Sequence, residues 1–115
     1  MGRDFHWKVT VRLYDGDQRC FGPGVAALLA RVEAHRSLRA AAASMEMAYS
    51  KAWRIVRTAE EALGCKLLAS TIGGAHGGGA VLTAEASALL AAYRRCTADV
   101  EAYAQARLEQ DFPLP

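Results

Sequence analysis

Between residues 49 and 57, the side chains of Tyr49, Ser50, Lys51, Trp53, Arg54 and Arg57 bring together two planar rings, a hydroxyl and three cations. Such groups stack on flat bases, donate hydrogen bonds and neutralise phosphates. At helical spacing all six fall outside the apolar stripe made by Ala52, Val56 and Ala59. A helix presented by its N-terminal end can enter a DNA major groove, where side chains on its first turns reach base edges. Arg54 or Lys51 is the candidate for guanine, each good bidentate pair being worth ~1–3 kcal/mol of discrimination. Tyr49 and Ser50 are suited to bases or to phosphate. Arg57, a turn further on, and Arg39, at the head of the preceding helix, are placed to grip phosphates. Trp53 has two readings: it faces a duplex, or it packs under the β-hairpin that follows. His76, in a glycine-rich stretch, either touches DNA or is simply solvated.

Charge placement agrees with an anion-binding face in the middle of the chain. The 115 residues carry a formal charge of only +2. Residues 31–57 hold six cations against Glu33 and Glu46, a local +4, whereas residues 1–30 come to +1 and everything from Thr58 onward to −3. A solvated basic face with no partner would look the same, so the asymmetry narrows the field without deciding it.

The elements that must position these residues follow from periodicity and punctuation. Phe5, Trp7, Val9, Val11 and Leu13 alternate with polar residues and predict a half-buried strand. Asp15-Gly16-Asp17 predicts a hairpin turn, with a return over Arg19 to Phe21. Gly22-Pro23-Gly24 opens a first helix, with Val25, Leu28, Leu29 and Val32 on one face and an end near His35. Ser37 caps a second, alanine-rich helix from Leu38 to Met45. After a break at Glu46-Met47-Ala48, a third helix runs from about Tyr49 to Leu63, stopped by Gly64. Lys66 to Ser70 and Ala80 to Thr83 read as strands around a glycine-rich loop over 71–79. With 24 alanines in the chain, the helices are expected to approach one another closely.

A last helix is predicted from about Ala84 to Glu109, some 39 Å long at ~1.5 Å per residue and longer than so small a domain needs. Its apolar positions recur near every 3.5 residues: Ala86, Leu89 or Leu90, Tyr93, Cys96 or Thr97, Val100, and Tyr103 or Ala104. A narrow stripe on so long a helix asks for a partner helix. Leu89, Leu90, Tyr93, Val100 and Tyr103 are therefore the dimerisation candidates, with docking on the helix's own domain as the alternative. The expected division is residues 1–83 as the winged domain with its N-terminal hairpin and 84–115 as dimerisation helix and short tail. The fold class is mainly α with a small β component (α+β), in the order of a winged helix-turn-helix.

Several strings resemble a known family. Phe21-Gly22-Pro23-Gly24 with Leu28-Leu29, then Ser37-Leu38 with Ala41-Ala42, then Tyr49-Ser50-Lys51-Ala52-Trp53 resemble the N-terminal DNA-binding domain of ModE-type molybdate-responsive regulators. So does the glycine-rich run from Gly73 to Gly79 leading into Ala80-Val81-Leu82-Thr83. The resemblance extends from Phe21 through the helix after Thr83. It implies a LysR-like winged helix-turn-helix, dimerisation through the terminal helix and binding to a palindromic operator on double-stranded DNA. The chain departs from the family at Arg36 and Glu46, where glycine is usual, at Ala48, where serine is usual, and at Ser70, where arginine is common. A left-handed non-glycine residue costs on the order of 1 kcal/mol and a missing N-cap ~1 kcal/mol. The family's molybdate-binding modules have no counterpart up to Pro115. The expectation is a regulator that uses no cofactor of its own and is controlled through an effector-binding partner subunit, a ligand at the dimer interface, or abundance.

Rival chemistries fare worse. Gly73 to Gly79 lacks the Gly-Lys-Ser/Thr ending of a phosphate-binding loop and leads into a strand. His6, His35 and His76 are scattered, and Glu60-Glu61 reads as a solvated acidic step, so no enzyme is expected. Cys20, Cys65 and Cys96 form no metal-ligand spacing and suit a reducing compartment. Without an apolar run of membrane length or a signal peptide, the expected location is the cytoplasm, with no membrane partner. The serious alternative is a dimeric winged-helix adaptor that has lost DNA binding, favoured by Glu46 and Ala48.

Overall fold

A computed structural model describes residues 3–71 and 79–115. Two short antiparallel hairpins and four helices follow one another: β1 (Leu13–Asp15), β2 (Gln18–Phe21), α1 (Pro23–His35), α2 (Leu38–Ser44), α3 (Tyr49–Leu63), β3 (Leu68–Thr71), β4 (Gly79–Leu82) and α4 (Ala84–Asp111). This is the α+β, winged helix-turn-helix order that the sequence predicts.

The core sits where α1, α2 and α3 meet. Leu28, Leu29 and Val32 of α1 are fully buried against Ala41 and Ala42 of α2 and against Ala52, Val56 and Ala59 of α3. Alanine at the contact points of α2 and α3 lets the helices approach closely, while the leucines of α1 fill the remaining volume. Leu67 of the connection to β3 and Ala86 and Leu90 of α4 belong to the same cluster, so the start of α4 is part of the domain's own core.

Local chemistry sets the helix ends. Pro23 occupies the first turn of α1, where its missing N–H is no loss. Ser37 Oγ accepts from the Ala40 N–H at 3.0 Å and caps α2. Thr83 Oγ1 accepts from the Ala86 N–H at 3.1 Å and donates to the Lys66 carbonyl at 2.7 Å, tying the start of α4 to the far side of the wing. Gly64 ends α3 in the left-handed region at φ 74°. Arg36 and Glu46 are also left-handed, at φ 59° and 53°. Both stand at positions where the resemblance expects glycine.

The wing is fastened to the junction of α1 and α2. Ala80 N–H donates to the Arg36 carbonyl at 3.0 Å. A Cβ on the neighbouring Gly79 would collide with Thr71 Oγ1 and stand 3.2 Å from that same carbonyl oxygen, so the close approach requires glycine.

Two expectations are corrected. Residues 5–12 do not form a ladder: β1 begins only at Leu13. The segment runs instead as an extended arm held at three points near α4. Tyr93 Oη donates to the Val11 carbonyl at 2.8 Å, Gln105 Nε2 lies 3.5 Å from the Phe5 carbonyl, and the Trp7 ring meets Phe112 edge-on at 5.3 Å. Alternation of apolar and polar residues marks an extended chain with two unlike sides, but the apolar side is only partly covered here: Val9 and Val11 are half-buried, while Phe5, Trp7 and Leu13 are exposed. Burial pushes the Tyr93 phenol above its ordinary value of 10.0, an effect opposed by the Arg12 guanidinium and reinforced by Cys96.

The second correction concerns the stripe on α4, which is divided along its length. Leu90 is 2% exposed, and Leu89 and Tyr93 pack on the domain core, with the Tyr93 ring 5.2 Å from Phe21. Leu90 is taken up within the protomer and Leu89 and Tyr93 are half-buried against its core, whereas Val100 and Tyr103 remain exposed. At 28 residues α4 is ~42 Å long. The radius of gyration is 17.4 Å against ~13 Å for a compact chain of this length.

Candidate nucleic-acid interface

Helix α3 is presented rather than enclosed. Its inner stripe, Ala52, Val56 and Ala59, is buried, while Tyr49, Ser50, Lys51, Trp53, Arg54 and Arg57 are all exposed, as is Arg39 at the start of α2. Ala48 at the N-cap makes no side-chain hydrogen bond to the helix. The first turn therefore keeps N–H groups without a side-chain acceptor, on the end that would enter a groove.

The exposed residues do not form one patch. They fall on two flanks of α3, each bordered by a cleft. On the wing side, a cleft of about 460 Å³ is lined by Arg39 of α2, by Tyr49, Trp53 and Arg57 of α3, and by residues of β3 and β4. On the other side, a cleft of about 550 Å³ opens beside the packing of β2 on α3 and is lined by Lys51 and Arg54 together with Arg12 and Arg19. Ser50 lines neither cleft. At 100° per residue it lies with Arg54 and Arg57 on the side of α3 opposite the buried stripe.

The aromatic rings hold cations. The Arg39 guanidinium stands 4.2 Å from the centroid of Tyr49, and that of Arg57 5.2 Å from the centroid of Trp53. Each such contact is worth ~0.5–1 kcal/mol at an exposed site. Trp53 is 48% exposed, so it is not packed away under the wing; it borders the wing along one edge and carries Arg57 on its ring.

One side chain that the sequence assigns to solvent is structural. The Glu60 side chain is only 10% exposed. Its Oε2 accepts from the Leu67 N–H at 2.9 Å and lies 3.4 Å from the Leu68 nitrogen, which joins α3 to the first strand of the wing. Lys66 Nζ stands 4.0 Å away and is mostly exposed, so it adds little. Arg12, Arg19 and Lys66 are further cations along the two clefts that sequence reasoning did not single out. In Arg12 and Arg19 the only signal was a positive residue within a strand-like pattern. His76 and residues 73–78 of the glycine loop lie outside the described residues.

Among the described residues no three of His, Cys, Asp and Glu come together to hold a metal ion, and no helix is long and apolar enough to cross a membrane. Cys20, Cys65 and Cys96 are free thiols, respectively buried, half-buried and exposed. No curated protein matches the sequence. Residues 26–87, from α1 through the wing to the start of α4, match the family described as "Bacterial regulatory helix-turn-helix protein, lysR family".

Proposed function

Because the chain belongs to the lysR family of bacterial regulatory helix-turn-helix proteins, and so is a DNA-binding transcription regulator, we propose that it is a regulator of the ModE-like subtype that binds a palindromic operator as a homodimer. Residues 1–83 read the DNA and residues 84–115 pair the protomers. The observation that carries the reading is the contrast along α3, where Ala52, Val56 and Ala59 are sealed in the core while Ser50, Lys51, Arg54 and Arg57 project from the opposite sides.

With α3 in the major groove, Arg54 or Lys51 contacts guanine, and Tyr49 and Ser50 meet bases or backbone from the first turn. Arg39 and Arg57, each braced on a ring, take phosphates at the wing side. Val100 and Tyr103, exposed on the distal half of α4, supply the dimer contact. The expected compartment is the cytoplasm, where DNA is reached directly, and any effector acts through a partner subunit or the dimer interface.

Selection of bound duplexes from a random-sequence pool tests the reading. The expected result is an inverted repeat, with affinity falling steeply as salt rises through counterion release. Absence of duplex affinity even at low salt would favour the dimeric adaptor, the reading that Ala48 and the left-handed Glu46 leave open.

A further inference from the structure

The cleft between the N-terminal hairpin and α3 is left without a role by the reading so far, and it lies largely outside the matched segment, since Arg12 and Arg19 precede residue 26. Its charge is one-sided: Arg12, Arg19, Lys51 and Arg54 line it, and among the described residues no Asp or Glu does. Four cations around one concavity repel one another and raise the local potential for an anion. The same cleft takes in the first residues of α1, Gly24 and Val25. That helix has no side-chain cap and no acidic residue in its first turn, so among the described residues no side-chain acceptor caps the N–H groups there. Arg12 lies close against the start of α1: a Cβ at Gly22 would stand 3.3 Å from Arg12 Cγ.

We propose that this cleft is a second cradle for the DNA backbone, in which Arg12 and Arg19 hold phosphates of the strand across the major groove from the one gripped at the wing side. The inference rests on the DNA-binding reading of α3 and extends it to the hairpin. The groove is about 12 Å wide and bounded by two phosphate strands, and a helix with its side chains, about 10–12 Å across, fills it. Each flank of a seated helix then faces one strand. Here one flank offers Arg39, Arg57 and Lys66 and the other Arg12, Arg19 and Lys51. Lys51 and Arg54 belong at once to the cleft and to the helix presented to the duplex, which makes a DNA phosphate the occupant their position favours. The buried Cys20 and Phe21 anchor β2 and keep the neighbouring Arg19 at the cleft.

The test uses the full chain and a random-sequence DNA duplex, with affinity measured over a series of salt concentrations for the wild type, Arg12→Gln, Arg19→Gln, Arg19→Lys and Arg95→Gln. A homodimer carries each substitution twice, so removing one phosphate contact per protomer should lower the slope of log affinity against log salt by about 1.8. Each glutamine variant in the hairpin is expected to show that loss, Arg19→Lys to retain the wild-type slope, and Arg95→Gln, on α4 and lining neither cleft, to leave it unchanged. On the selected operator, hydroxyl-radical footprints should lose protection on one strand within each half-site, the affected strand switching across the dyad. Should Arg12→Gln fail to fold by circular dichroism, the exposed Arg19 decides the matter alone. Wild-type slopes in both glutamine variants, with binding intact, overturn the second cradle and leave the reading of α3 standing. If the wild type has no duplex affinity at low salt, both fall together.

Discussion

Glu60 offers the sharpest test of how the wing is attached to the reading helix. Its carboxylate accepts from the Leu67 N–H at 2.9 Å, and Leu67 is completely buried, so removing the acceptor strands a donor in the interior. A hydrogen bond to a charged group is worth ~1.5–3 kcal/mol, and leaving a buried partner unpaired costs a similar amount. Glu60→Ala is therefore expected to destabilise the fold by about 1.5–3 kcal/mol. For a chain of 115 residues, each kcal/mol shifts the thermal midpoint by ~4 °C, which gives a fall of about 6–12 °C. Glu60→Gln keeps an acceptor oxygen at the same place and should lose only about 1 kcal/mol. Urea denaturation gives the energies, and hydrogen exchange at the Leu67 amide gives the site, with protection lost in the alanine variant and largely kept in the glutamine one. A Glu60→Ala protein within ~0.5 kcal/mol of wild type, the range of ordinary surface substitutions, would refute the reasoning.

Three other outcomes follow from the geometry. Glu46→Gly should relieve a left-handed strain of ~1–2 kcal/mol while loosening the unfolded chain by ~0.4–1 kcal/mol, for a net gain of about 0.5–1 kcal/mol in urea denaturation; a loss of stability would contradict it. The Tyr93 phenol is raised in the fold, so its contribution is fully present below pH 10.0, the ordinary value, and is lost as pH rises through the higher folded value. Tyr93→Phe should remove that part of the alkaline loss while lowering stability at neutral pH by about 1 kcal/mol for the missing bond to Val11; an unchanged alkaline profile would exclude Tyr93 as its source. Tyr103→Glu places a charge on the exposed apolar stretch of α4 and is expected to convert dimers to monomers by light scattering at fixed concentration, whereas an unchanged mass would remove Tyr103 from the interface.

What the sequence made legible was what local chemistry decides. Helix α3 begins at Tyr49 and ends at Leu63 as predicted, because the break at Glu46-Met47-Ala48 and the left-handed Gly64 are written in adjacent residues. The Ser37 cap and the buried alanines of α2 follow from the same short-range rules. What was missed depends on partners distant in the chain. The N-terminal alternation announced an extended segment but could not say whether its neighbour was a strand or α4, more than 80 residues away at the Tyr93 contact. Glu60 looks like any exposed acidic step until the turn after Gly64 brings the Leu67 amide over it. The six exposed residues of α3 are alike in the sequence in lying outside the apolar stripe, yet the hairpin on one side and the wing on the other draw five of them into two clefts and leave Ser50 between. The apolar stripe of α4 likewise gave no sign of where the protomer's own core would stop using it.

The central claim is that cations on the exposed side of α3 read a duplex, and Arg54→Ala tests it most directly. Affinity of the wild type and the variant would be compared on the selected operator and on operators changed one base pair at a time. A homodimer loses the base contact in both half-sites, ~1–3 kcal/mol in each, so operator binding should weaken by about thirtyfold or more and discrimination should flatten at one position in each half-site. A variant that binds the operator as tightly as wild type, with the same preference at every base pair, would contradict the account.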